Sequence, residues 1–167
     1  MKVLRAAAAI VIAAAAVATL RACVVVPLHC QRIVSRTETR TREAVAAFPE
    51  VRRSIARANI GALRRCEGRY PADINLYMLL GANYQIVEEW EAAIEVYETA
   101  LGIDRRPEVY LNLGMCRMQV DQTERAMEAF VIACAFAPRM LDEVPDSAVR
   151  EAVVQRIEAQ YGPGWMR

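Results

Sequence analysis

Tyr77-Met78-Leu79-Leu80-Gly81-Ala82-Asn83-Tyr84 returns 33 residues later as Tyr110-Leu111-Asn112-Leu113-Gly114-Met115-Cys116-Arg117. A second block follows each at the same offset: Ala92-Ala93-Ile94-Glu95-Val96-Tyr97-Glu98-Thr99-Ala100 and Arg125-Ala126-Met127-Glu128-Ala129-Phe130-Val131-Ile132-Ala133. A period near 34 built from two short apolar helices and a turn predicts stacked helix–turn–helix units. Gly81 and Gly114 let the first helix approach its partner closely. Ala93, Ala100, Ala126 and Ala133 are the small faces it meets, while Tyr77, Tyr97, Tyr110 and Phe130 fill the gaps between layers. All of these read as packing residues.

Working outward, two units alone leave apolar faces uncovered, so flanking helices are required. One begins near Pro49, where proline suits a first turn. Val51, Ile55, Ala58 and Ala62 recur on one face, Gly68 ends it and Tyr70-Pro71 turns the chain. It would precede the first unit as a degenerate half-repeat. A second runs from about Ser147 to Gln160 with Asp146 as cap and Val149, Val153 and Ile157 as its face. Trp165 in the tail is expected to tuck against it, with a membrane or partner contact as the alternative. The reading is all-α: repeats at about 74–106 and 107–138 and a C-terminal cap helix at about 147–160, within a helical repeat domain spanning 49–167.

These blocks resemble the tetratricopeptide-repeat family. Tyr77, Leu80, Gly81, Tyr84, Ala93, Tyr97 and Ala100 match its large–Leu–Gly–Tyr and Ala–aromatic–Ala positions in the first unit. Tyr110, Leu113, Gly114, Ala126, Phe130, Ala133 and Pro138 match in the second. Arg117 departs where an aromatic is expected, and Arg105 where a closing proline is expected. The resemblance covers about residues 74–138 and implies an α-α superhelix. It also implies a concave groove lined by the first helix of each unit: Asn75, Met78, Ala82 and Gln85, then Glu108, Leu111, Met115 and Met118. Flexible methionines in such a groove would adapt to varied protein or peptide partners, unless the chain's own flanking helices cover these side chains. Only Asn112 agrees with the family's carboxylate clamp, which argues against a chaperone-tail ligand.

The N-terminus is of another kind. Met1–Arg5 is short and basic, and Ala6–Leu20 is fifteen uncharged residues, AAAAIVIAAAAVATL. Arg21 interrupts before Ala22–Leu28 continues. A cleaved signal peptide would end near Ala18 or Ala22. A retained membrane-spanning helix would use Ala6–Leu28, with Arg21 snorkelling at one end. Apolar character running past Leu20, with no small-x-small site before a polar start, favours the anchor, so residues 1–30 read as anchor or signal segment. Leu20-Arg21-Ala22-Cys23 resembles a lipoprotein cleavage box but carries Arg before the small residue. Orientation cues conflict: the short basic head suits a signal anchor with the domain outside the cytoplasm, whereas Arg32, Arg36, Arg40 and Arg42 after the span suit the opposite. The lean is extracytoplasmic.

Charge divides the chain. Residues 31–69 hold ten Arg against four Glu, while residues 70–167 hold eight Arg against sixteen Asp or Glu. A basic juxtamembrane stalk, residues 31–48, therefore leads into an acidic domain, which argues against nucleic acid as a partner. The basic part suits anionic headgroups.

Nothing reads as catalytic. His29, the one histidine, flanks the apolar segment, and no phosphate-binding loop occurs. Glu88, Glu89 and Glu91 cluster in a turn, where carboxylates favour a helix start. The five cysteines, Cys23, Cys30, Cys66, Cys116 and Cys134, lack zinc spacing and read mainly as apolar filler. The expectation is a protein with no cofactor, no metal and no enzymatic activity, a membrane-anchored adaptor in bacterial envelope or polysaccharide assembly. A structural subunit whose repeats other chains bury is the alternative.

Overall fold

The computed structural model describes residues 2–69, 73–162 and 165, and among them it is all-helical, with no strand. Eight α-helices follow in order: α1 (Lys2–Leu20), α2 (Val26–Val45), α3 (Pro49–Glu67), α4 (Ile74–Ile86), α5 (Trp90–Ile103), α6 (Pro107–Gln119), α7 (Thr123–Phe136) and α8 (Ser147–Tyr161). A π-helical turn, Arg21–Val25, joins α1 to α2, and a 3-10 helix, Pro138–Glu143, lies between α7 and α8. The Tyr70-Pro71 turn lies outside the described residues.

The segment from α1 to α2 is helical throughout. The π turn sits just before Pro27, whose ring would clash with the carbonyl four residues back in a regular helix. One extra residue in the turn relieves that clash, and the Val26 N–H reaches back to the Arg21 carbonyl. Ile10 through Val25 are exposed on all sides. The helix is long and apolar enough to cross a membrane.

From α2 onward each helix packs on its successor, and α2 also touches α4. The polar segment read as a stalk thus carries a buried face: Cys30, Val34, Thr37 and Ala44 are enclosed. Its seam against α3 and α4 is closed by hydrogen bonds. Asn59 Nδ2 donates to Asn83 Oδ1 at 3.0 Å, and Asn83 Nδ2 donates to Thr41 Oγ1 at 3.0 Å and to the Leu79 carbonyl at 2.7 Å. Both asparagines are fully buried, so each polar atom needs its partner. Arg52 lays its guanidinium over the α2 C-terminus, donating to the carbonyls of Ala44, Val45 and Ala47. These are orphan acceptors at a helix end, where a cation is favoured.

The apolar face expected on α3 is displaced. Val51 and Ala58 are exposed and Ile55 and Ala62 half-buried, while Ala56, Asn59, Leu63 and Cys66 point inward. A buried asparagine at the centre of that face hid it from a hydrophobic pattern.

Helices α4–α5 and α6–α7 form two equivalent pairs. Glu88 and Asp121 both hold the left-handed conformation (φ 64° and 58°) in their turns. Glu89 N–H bonds the Tyr84 carbonyl at 3.0 Å, and Gln122 N–H bonds the Arg117 carbonyl at 2.9 Å. The close approach at each glycine is to a ring rather than to alanines. A Cβ on Gly81 would lie 2.5 Å from the Tyr97 ring, and one on Gly114 would lie 2.6 Å from Phe130. Both rings are fully buried.

The far end is closed by α8, capped as the sequence suggests: Asp146 Oδ1 accepts from the Ala148 and Val149 N–H groups at 2.7 and 3.1 Å. Val153 and Ile157 are fully buried, Val149 partly, and Trp165 packs against the same cluster.

Candidate functional site

The expected partner face comprises one stripe on α4 and one on α6, and the fold treats them differently. On α4, Asn75 is exposed and Met78, Ala82 and Gln85 are half-buried. The spacing of three and four keeps them on one side of the helix. Gln85 is already committed: its Nε2 donates to Cys116 Sγ at 3.0 Å and to the Asn112 carbonyl at 3.4 Å, and its Oε1 accepts from Tyr97 Oη at 3.3 Å. It ties α4, α5 and α6 together and has little left to offer a ligand. Asn75, Met78 and Ala82 remain accessible.

On α6 the chain covers its own stripe. Leu111 is 2% exposed, in the core cluster that also holds Met140 and Val144. Met115 and Met118 pack partly buried against that cluster. Arg139 reaches Glu108 at 3.5 Å. The segment from Pro138 to Val144 thus rests on α6, and Arg150 fastens its end by donating to the Val144 carbonyl at 2.6 Å. Leu111 is a core residue here, and of the α6 stripe only Glu108, Met115 and Met118 keep partial exposure. Self-covering of the groove by flanking helices is an open alternative in the sequence, but a 3-10 segment has no hydrophobic period, so this segment is not legible there as the cover.

Arg117, the departure from the expected aromatic, is used structurally. It occupies the position equivalent to Tyr84, donating to Glu98 at 2.9 Å and to the Arg125 carbonyl at 3.2 Å. Tyr84 accepts from Arg64 Nε at 3.0 Å. The left-handed Glu88 pairs with Arg53 of α3 at 2.8 Å, so the acidic turn helps dock the first pair on α3.

The cysteines sit as filler, with one exception. Cys66, Cys116 and Cys134 are buried, and burial pushes their thiols up to about 12, 11 and 11. Cys66 is raised further by its contact with Cys30 on α2. Cys23 is exposed on the π turn. Among the described residues no three His, Cys, Asp or Glu side chains come together as a metal site.

No protein-family model matches this sequence, and no curated protein matches it.

Proposed function

We propose that this chain is a membrane-tethered adaptor of tetratricopeptide type that binds a segment of another protein on the open face of α4. The observation that carries the reading is the doubled helix pair. Two units 33 residues apart share their turn geometry and their glycine–aromatic seat, which is how a stacked array presents a repeated face. The accessible residues of that face, Asn75, Met78 and Ala82, are small, polar or pliant. With the α6 stripe partly covered, the partner segment is short and is read mainly by the first unit, with Met115 and Met118 at its edge.

The apolar helix at the N-terminus supports single-pass anchoring, and its continuity with α2 holds the repeats at a set angle to the bilayer. The resemblance to small anchored bacterial repeat proteins supports an envelope or polysaccharide-assembly setting, with the repeats outside the cytoplasm. No catalytic role is proposed.

Photo-crosslinking in the native membrane tests this. A photoreactive residue at Asn75 or Met78 should give one discrete adduct, and the same residue at exposed Glu95 or Glu128 should give none. Equal labelling of both sets, or none on α4, would refute the adaptor reading. A phosphatase fused to the C-terminus reads orientation, active only outside the cytoplasm.

The end of the stack favours a second reading, a subunit held permanently by other chains. Phe136 and Tyr161 are 69% and 61% exposed beside an apolar groove that Ile132, Ala135, Ile157 and Trp165 complete. A stable complex surviving mild detergent, disrupted by Phe136→Ser, would support it over the adaptor.

A further inference from the structure

Where α1 meets α2, four cationic or titratable nitrogen side chains converge. A concavity of about 220 Å³ is lined by Arg21, His29, Arg65 and Arg69 above Val25, Val26 and Ile33. A second, of about 470 Å³, shares Arg21, Val26 and Arg69 and continues along Ala18 and Ala22. Two of these arginines, Arg65 in the last turns of α3 and Arg69 just beyond it, are more than 40 residues from Arg21 in sequence and reach the π turn only because α3 folds back. Among the described residues, no carboxylate pairs with Arg21, Arg65 or Arg69. Neighbouring Arg64 is engaged by Glu67 at 2.6 Å and by Tyr84.

Position identifies the ligand. The end of α3 lies beside Ala18–Val26, and guanidinium groups do not sit in hydrocarbon without partners. A bilayer boundary near Arg21 leaves Ala6–Leu20 as the uncharged span, fifteen residues or roughly 22 Å at 1.5 Å per residue. That is shorter than the ~30 Å of a hydrocarbon core, so the bilayer thins locally to meet it. Arginines at headgroup depth meet an apolar trough that runs up the membrane helix.

We propose that this junction binds an anionic phospholipid of the membrane that α1 enters, its phosphate on Arg21, Arg65 and Arg69 and an acyl chain along Ala18 and Ala22. A basic pocket suits phosphate. The apolar trough selects a lipid over a free ion. The α3 dipole, negative at this end, opposes an anion; Arg65 in its last turn offsets it. The lipid would brace α3 against the membrane helix.

This rests on the anchoring reading, and the test separates the two. The full chain should first co-float with phosphatidylcholine vesicles after an alkaline wash; failure there removes anchoring and this site together. The detergent-solubilised full chain is then titrated with dioleoyl phosphatidylglycerol or dioleoyl phosphatidylcholine and read by native mass spectrometry. Phosphatidylglycerol should bind where phosphatidylcholine does not. R65Q/R69Q should weaken it by about 25-fold, at roughly fivefold per arginine. R21Q reads the same pocket from the other helix, should weaken it about fivefold, and serves if the double variant unfolds. R32Q/R36Q, on the exposed side of α2, should leave binding within twofold. Equal binding of both lipids, unchanged binding in R65Q/R69Q and R21Q, or an equal loss in R32Q/R36Q would overturn the site. Displacement by millimolar inorganic phosphate would overturn the lipid assignment in favour of a soluble anion.

Discussion

The alanine substitution at Gly81 separates packing from helix propensity because the two pull in opposite directions. In a helix interior, Gly→Ala gains about 1 kcal/mol of propensity. At Gly81 the new Cβ would stand 2.5, 2.6 and 2.9 Å from three atoms of the Tyr97 ring. Ordinary contact begins near 3.5 Å, so the ring must retreat by about 1 Å. It has no room to do so, being fully buried and held at its hydroxyl by Gln85. Overpacking of this kind costs about 1–3 kcal/mol, and with backbone separation at the high end the net effect is a loss of about 1–2 kcal/mol. Gly61, exposed on α3, is the control: its Cβ meets only the Arg65 tip at 3.9 Å, so Gly61→Ala should stabilise by about 0.5–1 kcal/mol. Thermal unfolding of the full chain in detergent, followed by circular dichroism, should show Gly81→Ala melting about 3–8 °C lower and Gly61→Ala about 1–4 °C higher. Tyr97→Leu combined with Gly81→Ala should cost less than the two single changes added. A Gly81→Ala protein as stable as Gly61→Ala would refute the seat.

Other perturbations test separate parts of the structure. Asn83→Ala leaves the buried Asn59 amide with only its 3.3 Å bond to Thr41 and should cost about 2–3 kcal/mol, whereas Asn112→Ala, half-buried on α6, should cost less than about 1 kcal/mol; urea titration distinguishes them. A fragment beginning at residue 46 removes the Cys30, Val34, Thr37 and Ala44 face and should lose more than about 3 kcal/mol, aggregating where a fragment beginning at residue 27 stays folded and monomeric by sedimentation. For the buried thiols the sign is set by raised native values of about 11–12. Their contribution is whole below the unfolded value near 9 and fades as pH rises from there through the native values, so the melting temperature should fall between pH 9 and 12, and less steeply when Cys116 and Cys134 are replaced by Ala.

What could be read in the sequence followed from regularity. The 33-residue offset exposed both helix pairs because the same side-chain sizes recur at the same positions, and Asp146 and Pro49 marked helix starts through local chemistry that needs no tertiary context. The buried side of α2 escaped because its seam is made by Thr37, Thr41, Asn59 and Asn83, residues that a hydrophobic period scores as surface. The segment that covers Leu111 escaped, although self-covering is an open alternative in the sequence, because it is six residues of 3-10 helix with no hydrophobic period.

Glycine Hα protons report the repeated seat directly, since a proton held against an aromatic face is shifted strongly upfield. In the full chain in detergent micelles, selectively labelled glycine should give two such shifted resonances, with cross-relaxation from Gly81 to the Tyr97 ring and from Gly114 to Phe130. Glycine Hα signals at ordinary helical positions, with no cross-relaxation to either ring, would contradict the doubled helix pair on which the adaptor reading stands.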